Sequence, residues 1–152
     1  MSQQPFPKQS SRSTKMLEII HTDLCGPMRV QSNGGKKYVL TFIDDYSRWC
    51  EVRFLAKKSD VLSEFKKFKK LVENQKGRKI KVIQSNNGTE YCNNDFDRYL
   101  ESCGIQRRLT VPHTPQQNGV AERKSRSLIE TARCLMMKSK LPPSFWAESY
   151  KE

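Results

Sequence analysis

Long apolar runs, histidines and acidic side chains are all scarce in this 152-residue sequence. No stretch approaches the roughly 18–20 consecutive apolar residues of a membrane-spanning helix, so no membrane partner is expected. Met1 to Thr14 are polar and lack the apolar centre of a secretion signal, which places the expected location in the nucleus or cytoplasm, not outside the cell. Only His21 and His113 are available, and the five cysteines (Cys25, Cys50, Cys92, Cys103, Cys134) form no Cys-x-x-Cys pair. That excludes a zinc finger or knuckle and reads as free thiols in a reducing compartment. Against 16 Asp+Glu stand 28 Lys+Arg, a net charge of +12. Such a balance favours a polyanionic partner, nucleic acid first, although ribosomal, membrane-surface and merely soluble basic proteins share it.

The length suits one domain with a real core. Residues 1–15, rich in Gln, Pro, Ser and basic side chains, read as a flexible basic linker before a domain spanning 16–152. Three β-prone runs follow, Leu17 to Leu24, Tyr38 to Ile43 and Arg48 to Leu55, joined by turn clusters around Gly26-Pro27, Asn33-Gly34 and Asp44-Asp45. Short connections predict an antiparallel meander. The period then changes: Val61, Phe65, Phe68 and Val72 recur at helical spacing between Ser59 and Gln75, with Ser59 or Asp60 as cap and Gly77 as stop. Lys66, Lys67, Lys69 and Lys70 fall off that stripe, as a solvated face. Lys79 to Gln84 predicts a fourth strand. Phe96 to Cys103 predicts a short helix capped by Asn93 or Asn94 and stopped by Gly104, and Ile105 to Leu109 a fifth strand. The longest helix is predicted from Gly119 to about Lys138, and Phe145 onward reads as a further helix, truncated at the C-terminus. The order implies an α/β fold with a mixed five-stranded sheet and helices packed on both faces.

Polar residues concentrate at three element ends: Asp23, Asn86 and Glu122. Two-metal phosphoryl transfer needs carboxylates converging from separate elements, a role open to Asp23 and Glu122. Plainer roles are open as well. Asp23 can accept amides of the Cys25-Gly26-Pro27 turn, and Glu122 can pair with Arg126 or favour its helix N-terminus. His21 shares the face of Asp23 by period two and reads as a core or surface histidine. Asp44-Asp45 can chelate a cation, but Asp is common in hairpin turns.

The runs HTDLCGPM (21–28), YVLTFIDDYSR (38–48), SNNGTEY (85–91) and TPQQNGVAERK (114–124), in this order, resemble the catalytic core of a copia-type retrotransposon integrase, part of a Pol polyprotein. FWAE (145–148) resembles the segment after that core, so the likeness covers nearly the whole chain. It implies a ribonuclease H-like fold that joins element ends to target DNA, with two Mg²⁺ or Mn²⁺ held by a D,D-35-E triad. The first Asp falls on Asp23 and the Glu on Glu122. The second Asp of the usual SDNGGEY falls on Asn86, with 35 residues between it and Glu122. Register is kept while the ligand changes.

An Asn side chain has the shape of Asp without its charge, and its NH₂ half cannot coordinate a cation. Metal binding is therefore expected to be weakened and the site largely inactive, unless Glu90 or Asp95 substitutes. The resemblance also implies DNA contacts from the loop of Thr114 to Gly119, including Gln117 and Asn118. It implies them too from His113, where close relatives more often show tyrosine, and from Arg123, Lys124 and Arg126 on the long helix. Arg107 and Arg108 are further candidates for phosphate. A homodimer or higher oligomer is expected, since joining two ends needs several protomers. The upstream zinc domain and downstream DNA-binding tail of such integrases are missing, so an excised core or a remnant of a decayed element is the further expectation. The rival reading is a catalytically silent nucleic-acid-binding domain.

Overall fold

The computed structural model of the chain describes residues 12–28 and 34–110. Five strands form one sheet: β1 (Ile19–Cys25), β2 (Tyr38–Asp44), β3 (Cys50–Leu55), β4 (Val82–Ser85) and β5 (Gln106–Leu109). Two helices, α1 (Val61–Lys76) and α2 (Asn94–Cys103), join the later strands. The order across the sheet is β3-β2-β1-β4-β5, antiparallel from β3 to β1 and parallel from β1 to β5. The meander, both helices and all five strands fall where the sequence predicts them, within two or three residues at most ends. The predicted helix at 119–138 lies outside the described residues.

Alternation along the strands divides the apolar residues between two faces. Ile20, Leu40 and Phe42 meet Val61, Phe65, Phe68 and Val72 of α1 and Phe96 and Leu100 of α2 in the main core. Phe42 stacks on Phe68 with centroids 4.1 Å apart, and Phe65 lies 5.8 Å from Phe96. Each such side chain, fully buried, contributes about 1.5–3 kcal/mol. The opposite face carries Cys25, Val39, Cys50, Val52 and Phe54. Here one expectation is corrected. Cys25, Cys92 and Cys103 form no disulfide, whereas Cys50 is disulfide-bonded. Pairing is set by Cβ–Cβ proximity in the fold, which sequence spacing does not carry.

Asp60 does not cap α1 with its side chain. A single 3₁₀ turn, Lys58–Asp60, leads into the helix and holds Asp60 in helical geometry, where its carboxylate cannot curl back over the first amides. Asn93 does cap α2: its Oδ1 accepts the Phe96 amide at 2.9 Å while its Nδ2 donates to the Thr89 carbonyl at 2.8 Å. On α1, Lys66, Lys67 and Lys70 are exposed as expected, with Lys67 at 3.4 Å from Glu64 and Lys66 over the Tyr99 ring, whereas Lys69 is partly buried and lies 3.0 Å from Glu73.

Asp44 and Asp45 fasten the segment before β1 to the β2–β3 turn. Asp44 is buried and accepts the Leu17 amide at 2.7 Å plus the Ser47 amide and hydroxyl, each at 2.8 Å. Asp45 accepts the Ser13 amide at 3.0 Å and hydroxyl at 2.8 Å, and meets His21 Nε2 at 2.7 Å. Leu17 is fully buried at φ 70°, a left-handed conformation that costs a non-glycine residue about 1 kcal/mol or more. The Asp44 bond and the core around its side chain hold it there.

Candidate active site

Asp23 lies on β1, paired with Thr41 of β2, and by alternation faces the side of the sheet that carries Cys25 and Val39. It is half-buried, and its Oδ1 accepts the Leu24 amide at 3.0 Å. β1 and β4 run parallel with Ile19 beside Val82, Ile20 beside Ile83 and His21 beside Gln84. Continued two residues, that register sets Asn86 opposite Asp23, just where β4 ends. Neighbouring strands lie about 4.8 Å apart, so this extended register puts residues 23 and 86 at the same end of the sheet.

The turn after β4 is closely bonded. Asn86 Oδ1 accepts the Gly88 amide at 2.8 Å, an Asx-type closure. The Gly88 carbonyl accepts the amides of Tyr91 at 3.0 Å and Cys92 at 2.8 Å. At the base, the Ser85 carbonyl accepts the Thr110 amide at 2.8 Å. The carboxylate of Glu90 folds over Gly88, so close that a Cβ there would stand 2.7 Å from Glu90 Oε1.

Tyr91 links this turn to β1, a role that sequence reasoning missed although the residue ends the SNNGTEY run. Its phenol is fully buried and shares a hydrogen bond of 3.1 Å with the Thr22 hydroxyl, next to Asp23. Burial pushes the phenol well above its ordinary value; the Thr22 bond opposes this, and the charges of Asp23 and Glu90 add to it. Tyr91 is therefore a neutral strut.

His21 is hydrogen-bonded to Asp45, Nε2 to Oδ1 at 2.7 Å. Arg107, a candidate for phosphate, has partners within the chain. Its guanidinium pairs with Asp97, donates to the Tyr91 carbonyl at 2.6 Å and lies over the Phe96 ring. Asp95, weighed as a replacement ligand, is 82% exposed on α2 and 3.7 Å from Arg98. Glu90 alone of the two alternatives lies on the Asn86 turn. Glu122, His113, Gln117, Asn118, Arg123, Lys124 and Arg126 lie outside the described residues.

The donor chemistry at Asn86 does not fit a two-cation centre of the usual kind. Where the resemblance expects a carboxylate stands a neutral amide, and its oxygen already accepts the Gly88 amide. Among the described residues, no three His, Cys, Asp or Glu side chains converge as a metal-holding set.

A mixed five-stranded sheet in this order, with Asp23 and the β4 terminus in register, defines a ribonuclease H-like core. The profile of the family described as "Integrase core domain" matches residues 13–115, and the chain belongs to that family. It is 46% identical over 144 residues, 95% of the chain, to the "Retrovirus-related Pol polyprotein from transposon TNT 1-94" of Nicotiana tabacum. To that "from transposon RE1" of Arabidopsis thaliana it is 32% identical over 146 residues, 96% of the chain. A "Transposon Ty1-DR4 Gag-Pol polyprotein" of Saccharomyces cerevisiae is 29% identical over 136 residues, 88% of the chain. The chain spans only 11%, 10% and 8% of these polyproteins. Among solved structures, the catalytic core domain of BIV integrase matches with TM-score 0.50 and 14% identity, covering 88% of this chain and 78% of that one. A simian T-cell lymphotropic virus intasome in complex with PP2A regulatory subunit B56 gamma matches with TM-score 0.58 and 16% identity, covering 92% and 48%. The fold is thus that of a retroviral integrase core, and the sequence relatives are retrotransposon Pol polyproteins.

Proposed function

We propose that this chain is the integrase core of a copia-type retrotransposon Pol polyprotein, with DNA as its partner and polynucleotidyl transfer as its ancestral reaction, impaired at Asn86. What supports this reading is the β1–β4 register, which continued two residues past its last pair sets Asn86 level with Asp23, an amide where the resemblance expects a carboxylate. Family membership and the net charge of +12 support nucleic-acid binding. The residues expected to hold Mg²⁺ or Mn²⁺ are Asp23 and Glu122. DNA contacts are assigned to His113, Gln117, Asn118, Arg123, Lys124 and Arg126. Assembly as a dimer or higher oligomer accompanies the reading, since two DNA ends must be joined.

Changes one shell removed from a metal already cost about 10–100-fold in affinity or activity, and loss of a direct ligand costs more. The same Asn86 favours, as the second reading, a silent nucleic-acid-binding domain. Calorimetric titration with Mn²⁺ tests the assignment. The Asn86→Asp variant is expected to bind at least tenfold more tightly than the unmodified chain. Equal affinities would show that Asn86 is not a vacated ligand position.

A further inference from the structure

β1 and β4 carry a different chemistry at their other ends. The register taken one residue back from Ile19 and Val82 sets Lys81 beside Glu18, with the Val82 amide donating to the Glu18 carbonyl at 2.9 Å. Around this pair is a concavity of about 190 Å³ lined by Lys15, Met16, Glu18, Arg78, Lys79 and Lys81. At about 3.3 Å per residue, the five residues from Glu18 to Asp23 put it roughly 17 Å from the candidate active site.

Four cations converge there around one carboxylate. Lys15, Arg78, Lys79 and Lys81 are exposed. Among the described residues, none of the four forms an ion pair, whereas Arg53, Lys67, Lys69, Arg98 and Arg107 all do. Glu18 is committed to Thr14, accepting its amide at 2.7 Å and its hydroxyl at 3.3 Å. The Ile80 amide, bonded to Glu73 Oε2 at 2.8 Å, and the Lys81 carbonyl, accepting the Gln106 amide at 2.9 Å, fix the backbone that presents Lys79 and Lys81. A lysine-rich helix end alone complements the helix dipole and faces water. Here the cations come from two separate segments and line a hollow of about six water volumes.

The geometry points to a second nucleic-acid contact: a phosphodiester subsite formed by Lys15, Arg78, Lys79 and Lys81 at the pole of the sheet opposite Asp23. It rests on the reading of the chain as a nucleic-acid-binding integrase core. Phosphate binding of this kind is indifferent to sequence and releases counterions, so it is measured by its salt dependence. It needs no metal, and Asn86 has no part in it.

The test is fluorescence anisotropy of a labelled DNA duplex in EDTA across a salt series. The unmodified chain is compared with Arg78→Gln/Lys79→Gln, with Lys15→Gln, and with the control Lys66→Gln/Lys70→Gln on α1. Loss of one or two phosphate contacts lowers the slope of log affinity against log salt by about 0.9 each. The expected result is a slope reduced by about one to two in the double variant and about one in Lys15→Gln, with the control smaller than either. Two variants on different segments guard against local misfolding. Equal losses in all variants would mean diffuse charge and overturn the inference, as would unchanged slopes. If a poly-glutamate peptide competed at lower concentration than unlabelled duplex, the pocket would be a protein-docking site and the inference would fall. No duplex binding by the unmodified chain would overturn the nucleic-acid reading itself.

Discussion

Asn86 closes its own turn by accepting the Gly88 amide through Oδ1 at 2.8 Å. A carboxylate oxygen accepts the same bond with the same reach, so this backbone accommodates aspartate as readily as asparagine. Asn86→Asp is expected to leave metal-free stability within about 0.5 kcal/mol, any loss coming from repulsion with Asp23 and Glu90. Urea denaturation in EDTA measures this. A loss above about 2 kcal/mol would mean that the turn depends on the amide.

Asp45 gives the fold a defined acid limit. Burial alone would raise its carboxyl, but the hydrogen bond with His21 and those from Ser13 outweigh burial and bring it to about 2, from an ordinary 3.8. A depressed native value stabilises the fold above the unfolded value and is lost as pH falls through the native one. Stability is therefore expected to drop between about pH 4 and pH 2, by roughly 1–2 kcal/mol from this group after solvent screening. Asp45→Asn should flatten that part of the stability–pH curve. An unchanged curve would remove Asp45 as its cause.

Asp44 anchors the approach to β1. Replacing it with alanine leaves the buried Leu17 amide and the Ser47 amide without their acceptor. At about 1–3 kcal/mol for each unsatisfied group, Asp44→Ala is expected to cost about 3 kcal/mol by chemical denaturation. Ser47→Ala, which removes a hydroxyl that donates to Asp44 and accepts the Trp49 amide in an exposed bond but leaves the Leu17 and Ser47 amides bonded, should cost under about 1.5 kcal/mol.

Gly26 is required by both space and backbone. It sits at φ 131°, and a Cβ there would lie 2.8 Å from the Lys37 carbonyl oxygen and 2.8 Å from the Tyr38 ring. The Met28 amide donates to that same carbonyl at 2.7 Å, so it cannot retreat freely. Gly26→Ala is expected to destabilise the chain by about 2 kcal/mol or more. Thermal unfolding would show it, and an unchanged midpoint would mean the junction after β1 yields without cost.

Much of the fold is legible because local signals agree with it. Phe65, Phe68 and Val72 mark the buried stripe of α1, while Asn93 and Gly104 bracket α2. The register of β1 on β4 is not legible, since parallel pairing is decided by how the intervening helix packs. The grouping of Asp23 with Asn86 rests on the resemblance, since periodicity carries no such information. Tyr91 looked like a motif end and acts as a buried strut, because its partner Thr22 is remote in sequence. Arg107 looked like a surface cation, yet Asp97 and the Tyr91 carbonyl claim it. The basic hollow escaped notice because Lys15 is far in sequence from the Arg78–Lys81 run that completes it.

The central claim is that the integrase register survives while Asn86 disarms it. A Mn²⁺-dependent DNA strand-cleavage and joining assay on the unmodified chain beside Asn86→Asp addresses it most directly. The account predicts activity in the variant at least a hundredfold above that of the unmodified chain. Comparable activity in both would contradict it and direct attention to Glu90, whose carboxylate lies over Gly88 on the same turn.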